Sequence, residues 1–302
     1  MGTRAKRLTA SAGVCALLGL SLGIASAATY LTSWGSHGRA SGQFQSPHDI
    51  TVDDKGHVYV ADTKNDRIQK FTTDGRFLGA WGNVASGPSR LLGPQGVDVD
   101  ARGNVYVANT ATSQIKKFTS EGEFVHGWAV HGRRHTWPPV TVAVAQRRLY
   151  AAVRDHNRIA EFTTGGRFLR VWGHGGARRG RVFDPCCVAA EVHGPVYVAD
   201  PFRVKKYTRD GRFLGAWGHE GSGPGEFRLL KGIAVDAHGN VCVADSGNNR
   251  VEKFTSDGKF RRAWGSKGSG AGQFNHPRGV AVDADNNVYV TNNDRIEKFS
   301  QP

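Results

Sequence analysis

Cysteine is scarce in this chain. Of four cysteines in 302 residues, Cys15 lies in an apolar leader, which leaves Cys186, Cys187 and Cys242. Three are too few for a disulfide framework, and none has the C-x-x-C spacing of a zinc site. Methionine occurs once. Acids are short, with 26 Asp and Glu against 40 Lys and Arg, for a formal charge of +14. There is no G-x-S-x-G nucleophile elbow, no EF-hand calcium loop and no N-x-S/T sequon. The apolar run at 13–24 falls short of the roughly 20 residues that span a bilayer.

What the leader does carry is the pattern of a secretory signal over residues 1–28. Arg4, Lys6 and Arg7 precede the apolar run, and Ala25-Ser26-Ala27 forms a small-residue cleavage site before Ala28. Val14 stands where a lipoprotein signal has a small residue, so Cys15 is not read as a lipid site. Cleavage leaves 29–302 with no transmembrane segment, exported to the medium or the cell envelope. Without the three leader cations the remainder keeps +11, a surface that draws anions.

Beyond the leader the chain is rich in turns and repeats. Glycine occurs 40 times and tryptophan seven. The stretch VYVADTKNDRIQKF at 58–71 recurs, altered, at 105–118, 149–162, 196–207, 241–254 and 288–299. In the first full period, runs at 49–52, 58–61, 67–71 and 77–81 alternate with Asp/Gly turns, which reads as a four-stranded antiparallel meander. The fourth strand ends in Trp34, Trp81, Trp128, Trp172, Trp217 and Trp264, at intervals of 47, 47, 44, 45 and 47 residues. That period is a propeller blade's, and the Trp reads as a wedge between blades. The last three-strand unit ends at Phe299, while the first fourth strand, 29–34, comes before any partner. The N-terminal strand is therefore expected to complete the last blade and close an all-β ring of six four-stranded blades over 29–302.

The unit running from Pro94-Gln95-Gly96-Val97-Asp98-Val99-Asp100 through Phe118, and again over 230–254, resembles the NHL repeat. Blades three and four depart most, with Val140-Thr141 and Cys186-Cys187 where Gln95-Gly96 would stand. The resemblance implies a six-bladed propeller. It leaves function open, because the family includes an amidating lyase, receptor-kinase sensor domains and protein- or RNA-binding modules.

In such a propeller the positions after the repeat's Pro ring the channel mouth. They are His48, Gln95, Val140, Cys186, Lys231 and Arg278, followed by Asp49, Gly96, Thr141, Cys187, Gly232 and Gly279. Pro47-His48-Asp49-Ile50 resembles a zinc-histidine segment of the amidating lyase. One His in the ring falls short of the three protein ligands of a catalytic zinc. A metal-dependent lyase or hydrolase centred on His48, Asp49 and Cys186 is thus the alternative reading, and a structural scaffold a second. Arg133, Arg134, Arg178, Arg179 and Arg181 enter blades three and four on the same face, with Arg154 and Arg158 beside them and His135 and Trp137 as flat neighbours. Guanidinium groups suit phosphate or carboxylate. The expectation is a binding module for a protein or an anionic polymer, with no cofactor and no metal. Intracellular nucleic acid is a poor partner for an exported chain. Asp62, Asp200 and Asp245 recur at one register and read as turn caps. The glycine-rich runs at 221–225 and 268–272 lack a following helix and read as blade connectors.

Overall fold

The computed structural model describes residues 28–131, 136–173 and 180–301. The leader, Arg133, Arg134, His135, Arg178 and Arg179 lie outside the described residues. Six four-stranded antiparallel sheets form a six-bladed ring. Blade one runs Pro47–Val52, His57–Asp62, Arg67–Thr72 and Phe77–Trp81. Blade six combines Val280–Val282, Val288–Asn292 and Arg295–Ser300 with the N-terminal Thr29–Trp34. The expected closure is present, with Trp34 opposite Ile296 and Thr29 opposite Ser300.

Burial follows strand position. Second strands such as Val105–Asn109 are buried along their whole length, as a strand covered on both faces must be. Fourth strands such as Phe77–Trp81 alternate partly buried and exposed residues at the outer rim. The tryptophans are the expected wedges. Trp34 of blade six packs 6.1 Å from the Phe71 ring of blade one and 6.3 Å from Tyr289. Gly75 of blade one has φ +89°, and a Cβ there would lie 2.6 Å from the Trp34 ring. Glycine meets both the turn and the close approach.

A second device ties each turn to its blade. Tyr59, Tyr106 and Tyr289 donate hydroxyl hydrogen bonds to Asp53, Asp100 and Asp283. The amines of Lys70, Lys117 and Lys298 lie over the same rings. Blade five has Cys242 in place of that Tyr, fully buried. Lys253 then reaches Asp236 directly at 2.9 Å, so the acid keeps a partner although the ring is gone.

The recurring acids do more than cap turns. Asp62 is buried and makes no capping bond to the 3-10 turn Thr63–Asn65. Its Oδ1 accepts the Gln45 amide, and its Oδ2 accepts Asn65, Arg67 Nε at 2.8 Å and Gln69. Asp245 does the same with Arg228, Asn248 and Arg250. Both therefore clamp the incoming loop to the blade, whereas Asp200 does cap, accepting the Phe202 amide. Asp62→Ala would leave the buried Arg67 guanidinium without its anion, though still bonded to the Arg39, Ala40 and Gln43 carbonyls. The expected loss is about 3 kcal/mol in chemical denaturation, the lower end for a broken buried pair. A loss within experimental error would show that the carbonyls suffice.

Candidate functional site: the channel mouth

The first strands of the blades line a central cavity of about 240 Å³. Its wall alternates apolar Ile50, Val97, Val142, Val188 and Ile233 with polar Asp49, Thr51, Asp98 and Thr141. The strands approach closely enough to exclude side chains at the ring glycines. A Cβ on Gly96 would lie 2.5 Å from Thr141 Cα.

The polar groups in this wall are joined from blade to blade. Asp49 of blade one accepts the Val97 amide of blade two at 3.1 Å. Asp98 of blade two accepts the Val144 amide of blade three at 2.7 Å, together with the Thr51 hydroxyl. Thr141 of blade three accepts the Val188 amide of blade four at 3.2 Å. Asp49 and Thr141 therefore spend acceptor capacity on the framework. Burial raises both acids against the hydrogen bonds that oppose it, Asp49 to about 7 and Asp98 to about 6. Asp98 was not singled out by sequence, although an acid at an inward position where other blades carry Thr51, Ala143 or Ala189 was a visible signal.

Cys186 and Cys187 are buried free thiols with Sγ atoms 3.0 Å apart. Cys186 also donates to the Ala199 carbonyl. Burial, the Cys186 contact and nearby Asp49 push the Cys187 thiol well above its ordinary range. Cys187 is therefore no activated nucleophile.

The rim above them is cationic. His48, Lys231, Arg278 and Arg154 act on one another electrostatically. Burial first, then Arg278, Lys231 and Arg154, lower His48 to about 3, so its imidazole is neutral at physiological pH. Burial and Arg154 lower Lys231, and burial lowers Arg278. Arg154 has a counter-charge in Asp184 at 3.5 Å. Among the described residues, Lys231 and Arg278 have no ion pair and no side-chain hydrogen bond. The mouth thus gathers His48, Lys231 and Arg278 as the ring register implies, and adds Arg154 from blade three. Gln95 is half-buried and Arg181 exposed. Arg158 bonds the Asn157 carbonyl, and Trp137 stacks on His156 at 5.0 Å. Among the described residues no three of His, Cys, Asp and Glu gather to hold a metal, and no helix is long and apolar enough to cross a membrane.

The family described as "NHL repeat" matches residues 44–71, 91–118, 227–254 and 274–295. These fall in blades one, two, five and six, leaving out the two blades whose sequence departs most. No curated protein sequence matches the chain. Solved structures share its fold. A streptogramin B lyase aligns at 13% identity and TM-score 0.64, covering 91% of this chain and 98% of that one. Virginiamycin B lyase from Staphylococcus aureus aligns at 13% and 0.58, covering 83% and 79%. A gluconolactonase from Xanthomonas campestris aligns at 14% and 0.66, covering 92% and 98%. At such identities the likeness is one of fold.

Proposed function

We propose that this six-bladed propeller carrying NHL repeats is an exported binding module whose channel mouth takes an anionic partner. The observation that carries the reading is the pair Lys231 and Arg278, half-buried beside Arg154 and making no ion pair among the described residues, with Asp294 acting on Arg278 only from beyond ion-pair distance. Partly desolvated cations without anions are costly in the free protein, and a bound carboxylate or phosphate removes that cost. The field at a mouth with low-dielectric walls also gathers anions before contact. The signal-like leader would deliver the chain to the envelope or beyond it.

Turnover at the same mouth is the competing reading, since the structural neighbours include two lyases and a gluconolactonase. His48, lowered to about 3, suits no proton transfer near neutral pH, and Asp49 and Asp98, whose values of about 7 and 6 are better matched, hold both their oxygens on framework amides. Binding is therefore favoured over catalysis.

The test is calorimetry with polyphosphate as a probe anion. The double variant Lys231→Gln/Arg278→Gln should weaken binding at least tenfold and flatten its salt dependence, as expected when charge contacts are removed. In the same variant the His48 imidazole should titrate at higher pH by NMR. Unchanged affinity would remove the mouth from the binding surface.

A further inference from the structure

A second cavity, of about 400 Å³, opens on the seam where blade six meets blade one. It arises from unequal turns. Blade one carries the 3-10 turn Thr63–Asn65, which presents exposed Lys64. The matching segment of blade six is two residues shorter. Asp294 holds the far wall, its Oδ1 accepting the Ser46 amide at 2.8 Å and its Oδ2 paired with His37 Nδ1 at 2.9 Å. Gln45 and Asn293 add amides to the lining. Arg278 lines this cavity and also acts electrostatically on His48 at the mouth, so one side chain serves both.

We propose that this cavity binds a carboxylated sugar unit, extending the ligand outward from the mouth through Arg278. The inference rests on the mouth as an anion site and adds the class of ligand. Lys64 and Arg278 supply the positive charge for one carboxylate. Asp294 and the carbonyl oxygens of Gln45 and Asn293 are acceptors, so a matching ligand must also donate hydrogen bonds. A phosphodiester backbone has no such donors, and Asp294 opposes a dense anion. Among the described residues no Phe, Tyr or Trp lines the cavity, and of its two imidazoles His37 is held by Asp294, which leaves nucleobases a poorer stacking platform than the aromatic side chains they favour. A uronic acid carries one carboxylate per ring and several hydroxyls, and so meets both demands. The volume lies within the roughly 300–1,000 Å³ of small-molecule sites.

The test is calorimetry of the whole chain with tetragalacturonate. Polyphosphate serves as a sugar-free anion and cellotetraose as a charge-free sugar. Lys64→Gln, an exposed change checked by an unaltered melting curve, should weaken tetragalacturonate about tenfold and leave polyphosphate nearly unchanged. Cellotetraose should bind at least tenfold more weakly than tetragalacturonate. If tetragalacturonate fails to bind, or binds equally well to the Lys64 variant, while polyphosphate still responds to Lys231→Gln, the mouth stands and this inference falls. If Lys64→Gln weakens both anions alike, the cavity is a general anion surface and the sugar assignment falls. If tetragalacturonate depends on Lys64 while no anion responds to Lys231, the cavity stands and the mouth reading fails. Failure of both ligands to bind would overturn both.

Discussion

A chain beginning at Gly35 should lose cooperative folding, melting broadly by circular dichroism and eluting as aggregates. Removing Thr29–Trp34 strips blade six of its outer strand and leaves the edge of Arg295–Ser300 unpaired, a template for association with other chains. It also removes Trp34 from between Phe71 and Tyr289, opening a void on both sides of the seam. Trp34 is partly buried, so its loss alone should cost somewhat less than that of a fully buried Trp, about 3–5 kcal/mol. Whole domains are stable by only about 5–15 kcal/mol, so strand and wedge together are expected to exhaust most of that margin. Trp34→Ala separates the two effects, because it keeps the strand and should fold with a lowered midpoint. A truncated chain that melts as sharply and as high as the parent would show that the closure is dispensable.

The ring and its closure were legible because they follow from counting. A Trp at every fourth strand and a strand without a partner at the N-terminus leave one way to satisfy every edge. The mouth was legible in part. The position after the repeat's Pro placed His48, Lys231 and Arg278 together, because in a ring each blade delivers that position to the axis. The same rule could not tell which ring residues are free. Asp49 and Thr141 bond the next blade's backbone, and Cys186 turns its thiol to Ala199. Such pairings join strands tens of residues apart and leave no local pattern. The seam cavity was missed for the same reason, since Lys64 and Asp294 lie far apart in the chain and meet only at the closure. Its one sequence trace was the shortened turn of blade six. Asp62 and Asp245 read as turn residues because Asp recurs in turns, yet the amide each accepts comes from the loop seventeen residues upstream.

The Asp49 carboxyl should contribute stability that is lost as pH rises from about 4 to 7. Burial in the channel holds its folded value near 7, against about 3.9 for an unfolded Asp. Between those values the folded protein binds a proton that the unfolded chain releases, so the slope of unfolding free energy with pH is negative. This contribution is complete below the unfolded value and is lost as pH climbs through the folded one. Three pH units correspond to about 4 kcal/mol. Asp98, raised to about 6, and Glu252, raised to about 7, act in the same direction. Asp53 and Asp236, whose values are lowered by hydrogen bonds from His57 and Asn240 that outweigh burial, oppose them below the ordinary Asp range, and His48, lowered to about 3, opposes them up to the ordinary His value because there the unfolded chain binds a proton that the folded one does not. Urea denaturation at pH 4.5, 6 and 8 should show the stability difference between the parent and Asp49→Asn move steadily in the variant's favour as pH rises, with the His48 contribution common to both. The Asn amide cannot accept both the Ile50 and Val97 N–H groups as the two carboxyl oxygens do, so the variant should start about 1 kcal/mol lower at pH 4.5. It should then overtake the parent by pH 8, where the parent must hold a buried charge. A difference between variant and parent that stays constant with pH would show that the Asp49 carboxyl is solvated through the channel and ionises as an ordinary acid. The crossing is the informative outcome, because a merely structural loss of the Val97 bond lowers stability at every pH and produces none.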